Sequence, residues 1–253
     1  MNVTAHKTRK IIPGKESNIF DVLDEYLQKP REGSVVAVTS KIVAICEGSI
    51  VRIGAEDKDV LIQKECELYL PRSESKYGVC LTMKNSLLVP TAGIDESNGN
   101  GYYILLPKDP QASANAIRSH LVKRFRLRTL GVIVTDSKTT PLRRGVTGVC
   151  VAHSGFRALN DFRKKPDIFG HMLKVTQVNV VDALATAAVL CMGESKEQTP
   201  LAVLEDLPFV HFQRRNPTKQ EVEFLKIPIE HDLYEPILRS VQWKQGGRKY
   251  EKA

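Results

Sequence analysis

The chain has 253 residues, of which 42% are apolar and 26% charged, values of a globular protein with enough length to bury a core without disulfide or metal staples. Its apolar runs, such as Leu130–Val134, are far too short to cross a bilayer, and the opening MNVTAHKTRK has no apolar signal core, so a cytoplasmic protein without a membrane partner is expected. The net charge of +8 gathers at Lys7–Lys10, Lys123–Arg128, Arg143–Arg144, Arg163–Lys165 and Arg214–Arg215; such clusters attract phosphates and carboxylates as well as nucleic acid, and only Phe125 sets an aromatic among the bases, which argues against nucleic acid as the partner.

In chain order, Ile19, Val22, Leu23, Tyr26 and Leu27 follow helical spacing, with Ser17 as N-cap. Val35–Val38 reads as a buried strand and leads into the apolar-rich KIVAICEGSIV. A helix is expected over Asp57–Leu68 and a short strand at Leu87–Val89, which runs into the glycine-rich AGIDESNGNG. A polar helix is expected over Ser113–Phe125, then a buried strand, Leu130–Thr135, that ends at Asp136. Thr147–Ala152, Leu173–Val181 and Pro200–Leu204 read as further strands. Between the last two lies DALATAAVLCM, whose small residues allow a helix to pack closely, with Asp182 as a cap. Asn216–Pro217 opens a last helical region, and a polar, basic tail from Trp243 onward is expected to fray. Strands alternating with helices give an α/β class with mixed sheets. The five cysteines are scattered and never spaced C-x-x-C, so buried free thiols are expected, with Cys150 and Cys191 inside apolar runs.

No phosphate-binding G-x-x-x-x-G-K-[ST], no G-x-G-x-x-G and no H-E-x-x-H occurs. His153 and Ser154 are sequence neighbours, which seldom form a nucleophile–base pair. Two acidic stretches are candidates for chemistry. One is Ala92-Gly93-Ile94-Asp95-Glu96-Ser97-Asn98, where glycines permit sharp turns around short oxygen donors. The other is Thr135-Asp136-Ser137 at the carboxyl end of LGVIV, where ligands gather in α/β folds. Carboxylates and hydroxyls are the donors that hard cations prefer. The local alternatives stay open: Asp95 capping a turn, and Asp136 ending a strand in solvent. Glu194, in Met192-Gly193-Glu194-Ser195, follows a helix that its glycine would terminate. Arg143 and Arg144 follow Pro141 and suit bidentate phosphate or carboxylate contacts, or form an exposed basic turn.

These motifs occur together in one order. They are Gly33 with Thr39-Ser40-Lys41-Ile42-Val43 and Glu47-Gly48, AGIDESN at 92–98, Leu106-Pro107-x-Asp109-Pro110 and Gly131-Val132-Ile133-Val134-Thr135-Asp136. Pro141-x-Arg143-x-Gly145 follows, with Asp161, Asp167, Gly170, Thr176, Asp182 and Met192-Gly193-Glu194. From about Lys7 to Leu207 the chain resembles the coenzyme F-420-0:L-glutamate ligases, and among them the bacterial γ-glutamate ligases assigned to folate metabolism. The resemblance implies their α/β fold over residues 1–212, in an intertwined homodimer, with 213–253 as a helical extension and basic tail. It implies addition of L-glutamate to an anionic carboxylate acceptor of the deazaflavin or folate type. GTP would be the co-substrate, with ATP as the alternative, alongside two Mg²⁺ or Mn²⁺ ions and K⁺ as a stimulant. Asp95, Asp136, Ser137 and Glu194 would then be metal ligands, and Ser40, Lys41, Asn98, Met192, Gly193 and Ser195 nucleotide contacts. Asp95, Asp136 and Arg143 would be the catalytic groups.

Departures from the family pattern are equally specific. Ile45 stands where the family has a lysine, Thr139-Thr140 where it has Gly-Arg, and Ala183 where it has a glutamate. Lys7-Thr8-Arg9 replaces a Gly-Leu-Pro, and Ser137 replaces a threonine but keeps the hydroxyl. The rival expectations are a nucleotide-binding relative without ligase activity and a nucleic-acid-associated protein.

Overall fold

The computed structural model describes residues 1–248. Its first half runs β1 (Asn2–His6), α1 (Ile19–Tyr26), β2 (Ser34–Thr39), α2 (Ser40–Cys46), β3 (Ile50–Arg52), α3 (Lys58–Glu65), β4 (Leu68–Leu70), β5 (Leu81–Lys84), β6 (Leu87–Pro90) and β7 (Tyr102–Ile104). The second half runs α4 (Pro110–Phe125), β8 (Leu130–Thr139), β9 (Val146–Ser154), β10 (Leu159–Asp161), β11 (Gln177–Asn179), α5 (Val180–Met192) and β12 (Leu201–Glu205). Two short helices, α6 (Lys219–Glu223) and α7 (Glu235–Leu238), and a last strand, β13 (Lys244–Gln245), complete it. The class is mixed α/β, as the alternation of segments implies. Among the described residues no helix is long and apolar enough to cross a membrane.

The central sheet has the order β1-β12-β2-β8-β9. β2 and β8 run parallel, Ser34 opposite Leu130 through Thr39 opposite Thr135, and the other neighbours are antiparallel. Helices cover both faces, which explains the unbroken apolar runs of the inner strands. Val36, Val38, Val132 and Val134 face α1, α2 and α4, whereas Val35, Ala37 and Ile133 face α5, the two-residue period of a strand. Each such valine or isoleucine contributes roughly 1.5–3 kcal/mol by burial.

Two glycines set how closely the layers approach. A Cβ on Gly148 of β9 would lie 2.3 Å from the carbonyl oxygen of Ala185, so α5 rests directly on the strand backbone. Its small face makes that approach possible, and the Thr186 hydroxyl donates to the Gly148 carbonyl at 2.8 Å. A Cβ on Gly131 would lie 2.7 Å from the buried Phe156 ring.

A second sheet, ordered β13-β4-β5-β6, and two smaller ribbons, β3-β7 and β10-β11, surround the centre. The C-terminal residues are held rather than frayed. β13 pairs with β4, the Gly246 amide donates to the Glu67 carbonyl at 2.8 Å, and Arg248 pairs with Glu65 at 2.8 Å. Residues 249–253 of the expected loose tail lie outside the described residues.

Several boundaries differ from the sequence expectations for local reasons. Asn18, not Ser17, caps α1, accepting from the Phe20 amide at 3.0 Å. The third helix is shorter than Asp57–Leu68 because Asp57 serves as its cap and Cys66 turns extended. α4 starts earlier than Ser113 because Asp109 caps it and Pro110 occupies its first turn. Most of 173–181 is irregular: only Gln177–Asn179 pair as a strand, and α5 begins at Val180 under an Asn179 cap. Asp182 instead accepts from the Cys150 amide at 2.8 Å, tying α5 to β9. The last helical region starts at Lys219, where Thr218 and Glu221 form a reciprocal capping box. All five cysteines are free and four are buried; Cys191 is exposed because it lies on the outer side of α5.

His153 on β9 is 2% exposed and packs edge-on against Phe156. Burial pushes its imidazole down to about 4, against an ordinary value of 6.5. Protonation therefore favours the unfolded chain: the effect is absent above pH 6.5, grows as the pH falls, and is complete near pH 4. Between pH 7 and pH 5 it should remove about 2 kcal/mol of stability. Denaturant melts at both pH values should show the gap between wild type and His153→Gln shrinking by about that amount; an unchanged gap would mean that His153 is charged in the fold.

Candidate active site

The parallel pairing of β2 and β8 sets the carboxyl end of β2 beside Thr135 of β8. Thr39 ends β2 and caps α2, its hydroxyl accepting from the Ile42 amide at 3.5 Å, so Ser40 and Lys41 stand beside Asp136 and Ser137 on the neighbouring strand. β8 does not stop at Asp136; it continues to Thr139 as a hairpin with β9. The register slips between Val134 and Thr135, leaving Val151 of β9 as the extra residue. Such a bulge turns the strand's side chains relative to the layers below, at the step just before Asp136.

The AGIDESN loop reaches this edge through strained backbone. Thr91, Ala92, Asn98 and Asn100 all have φ between 49° and 57°, a left-handed conformation that costs on the order of 1–3 kcal/mol per residue outside glycine. Asp95 is fixed by a pair of backbone hydrogen bonds with Ile104, 2.9 and 2.8 Å. Its Oδ1 accepts from both the amide and the hydroxyl of Ser97, at 2.9 and 2.8 Å. Its Oδ2 lies 2.5 Å from Lys41 Nζ. Asn98 Nδ2 donates to the Ser195 carbonyl at 3.0 Å, joining this loop to the one after α5.

α5 ends at Met192, and Gly193 follows with φ 80° and ψ 168°, a conformation open essentially to glycine alone. A Cβ there would fall 2.6 Å from the Glu197 carboxyl carbon. The Glu197 carboxylate accepts from the Ser195 amide at 2.8 Å, and the Thr199 hydroxyl bonds the Met192 carbonyl. The turn therefore presents Glu194 toward β8, on the same cavity wall as Ser137, whose side chain favours the ionised carboxylate.

Together these elements line a cavity of about 750 Å³. Ser40, Lys41, Asp95, Asn98, Asp136, Ser137, Met192, Gly193, Glu194 and Ser195 all border it. Arg143 does not: it sits in the exposed hairpin turn beyond Thr139, and at about 3.3 Å per strand residue the continuation of β8 carries it away from Asp136. Sequence reasoning missed other lining groups. Arg9, Lys10, Ile11 and Ile12 arrive from the segment after β1, and Glu197 and Gln198 from the loop before β12. The basic run at Lys7–Lys10 was the only signal for the first group. Ile45 also lines the cavity, at 2% exposure.

The electrostatics follow from crowding like charges. Burial, then the neighbouring Asp95 and Glu194, pushes the Asp136 carboxyl up to about 7, although the Ser137 amide and Lys41 pull the other way. Burial also raises Glu194. For Asp95 burial acts upward, but the Lys41 and Ser97 contacts prevail and hold it below the usual range. Three carboxylates and a hydroxyl are the oxygen donors that Mg²⁺ or Mn²⁺ accepts, so the residues fit such a cation chemically. Among the described residues, however, no three His, Cys, Asp or Glu side chains converge on one cation position as they stand.

A family model described as F420-0:γ-glutamyl ligase matches residues 7–206. The coenzyme F420:L-glutamate ligase of Methanopyrus kandleri is 32% identical over 215 residues, 79% of this chain and 84% of that protein. The enzyme of the same name from Methanocaldococcus jannaschii is 28% identical over 218 residues, 78% of this chain and 84% of its own. That of Methanococcus maripaludis strain C7 is 38% identical over 125 residues, 49% of this chain.

Gly193 offers a direct test of the turn. Gly193→Ala should cost about 1–3 kcal/mol in denaturant unfolding, because the backbone conformation is closed to alanine. Adding Glu197→Ala should recover only the steric share. Full recovery in the double variant would show that the backbone at this turn is unstrained.

Proposed function

The chain belongs to the F420-0:γ-glutamyl ligase family, and from that premise we propose that it is a nucleotide- and divalent-cation-dependent γ-glutamyl ligase acting through an acyl phosphate. Its acceptor would be an anionic carboxylate of the deazaflavin or folate type, with GTP as phosphoryl donor. One observation carries the reading: Asp95, Asp136, Ser137 and Glu194 border the same cavity as Ser40, Lys41, Asn98 and Ser195. A metal-binding chemistry and a phosphate-binding chemistry thus share one space.

An acceptor carboxylate oxygen attacks the γ-phosphorus, and the bridging oxygen leaves with the nucleoside diphosphate. The glutamate nitrogen then attacks the acyl carbon, phosphate leaves, and the protons shed by the amine pass to solvent. Asp95, Asp136, Glu194 and Ser137 would hold the divalent cations. When bound, these neutralise phosphate charge during transfer. The protein's own share is positioning. Asp95 is fixed by Ser97 and Ile104, Asn98 is fixed on Ser195, and the Ser40 and Ser137 hydroxyls offer hydrogen bonds from the first turn of α2 and from β8.

Asp136→Asn keeps volume and removes a ligand charge. Incorporation of labelled glutamate into a deazaflavin or folate acceptor, identified by mass, should fall about 100-fold or more with normal melting. Arg163→Ala, which breaks a solvent-exposed pair with Asp161 and a surface contact with the Phe224 ring, should change the rate little. Near-wild-type ligation by Asp136→Asn would place the centre elsewhere, and no ligation by wild type would favour a nucleotide-binding relative.

The homodimer implied by the family resemblance is part of the same proposal. Ile168, Phe169, Met172 and Val175 are 63–91% exposed along the excursion between β10 and β11, large apolar side chains that a partner surface would cover. Light scattering should give twice 28.3 kDa, and Phe169→Glu should shift the mass toward the monomer; a wild-type monomer at micromolar concentration contradicts the dimer.

A further inference from the structure

We propose that Lys41 is the resident counter-cation of the carboxylate cluster, one that a divalent cation must displace from Asp95 and that then turns its ammonium to a phosphoryl group. The proposal deepens the metal- and nucleotide-dependent reading and rests on it. Asp95 has two carboxylate oxygens. Oδ1 is committed to the amide and hydroxyl of Ser97, which leaves Oδ2 as the oxygen open to a cation. Lys41 Nζ holds that oxygen at 2.5 Å. The same ammonium donates to the Ser97 carbonyl at 3.1 Å and lies 3.4 Å from its hydroxyl, so its three donors are spent on one loop.

A doubly charged ion at Oδ2 repels the ammonium and satisfies the carboxylate more fully. Lys41, on the first turn of α2 and 26% exposed at its side chain, has a flexible four-carbon stem to swing on. Arg9, Lys10 and Lys196 also border the cavity; Arg9 is paired with Glu16 at 2.6 Å, and of these cations only Lys41 holds a carboxylate of the cluster among the described residues. The exchange makes metal and nucleotide bind cooperatively: the ion frees the lysine that the phosphate needs.

Mn²⁺ titration, followed by the paramagnetic resonance signal of the free ion, tests this without turnover. Lys41→Met should bind Mn²⁺ about tenfold more tightly than wild type, a change of about 1.4 kcal/mol, because the competitor is gone. Lys41→Arg should match wild type, and Lys41→Gln repeats the test should the methionine variant fold poorly. GDP affinity should fall in Lys41→Met with Mn²⁺ present and stay unchanged in chelator, where the lysine is held by Asp95 in any case. Mn²⁺ affinity equal to or weaker than wild type in both neutral variants overturns the displacement and leaves the metal-dependent reading standing. An equal loss of GDP affinity with and without Mn²⁺ also overturns it. Failure of wild type and variants alike to bind millimolar Mn²⁺ overturns both.

Discussion

The parallel contact of β2 with β8 is the constraint from which the site follows. Parallel neighbours cannot be joined by a tight turn, so a long excursion must separate them in sequence. Here it carries α2, α3, the strands β3–β7, the AGIDESN loop and α4. The excursion has room to fold back and deliver Asp95 to the carboxyl edge that its own flanking strands create. Thr39 opposite Thr135 fixes the register, and a one-residue slip would turn Asp136 toward the layer beneath. α5 closes the other side because Gly148 and its small face let it lie on the strand backbone, placing the Met192–Ser195 turn over the same edge.

Bringing three carboxylates to one edge is unfavourable in itself, and the local structure bears that cost in visible ways. Asp136 is driven up to about 7 by burial and by its acidic neighbours. Asp95 is kept ionised by Lys41 and Ser97. The loop carrying Asp95 holds several residues in left-handed backbone, and Gly193 adopts a conformation that side chains resist. Strain and like-charge crowding gather in one place, a combination found at functional sites more than at structural ones.

Much of this was legible in the sequence. The buried strands β2 and β8 announce themselves as unbroken apolar runs, and the alanine-rich run of α5 announces its close packing. The acidic motifs and Glu194 could be named because they share an order with a known family; their meeting in one cavity is a tertiary fact that spacing alone left open. Arg143 lies outside the cavity because β8 continues through Ser137–Thr139, polar residues that hide the strand in the sequence. Ser17 and Asn18 are adjacent and both good caps, so local pattern had no means to choose between them. The contribution of Arg9 and Lys10 to the cavity, and the Lys41–Asp95 pair, depend on segments far apart in the chain and carry no periodic signal.

The central claim is that the edge shared by β2, β8 and the 92–98 loop is a cation site serving a nucleotide. Anomalous diffraction from crystals grown with Mn²⁺ and GDP tests it most directly. The account predicts manganese peaks bonded to Asp95 Oδ2, Asp136 and Glu194, with the Ser137 hydroxyl nearby and the diphosphate reaching toward Ser40. Manganese elsewhere in the cavity, with Asp136 and Glu194 out of bonding contact, would contradict it.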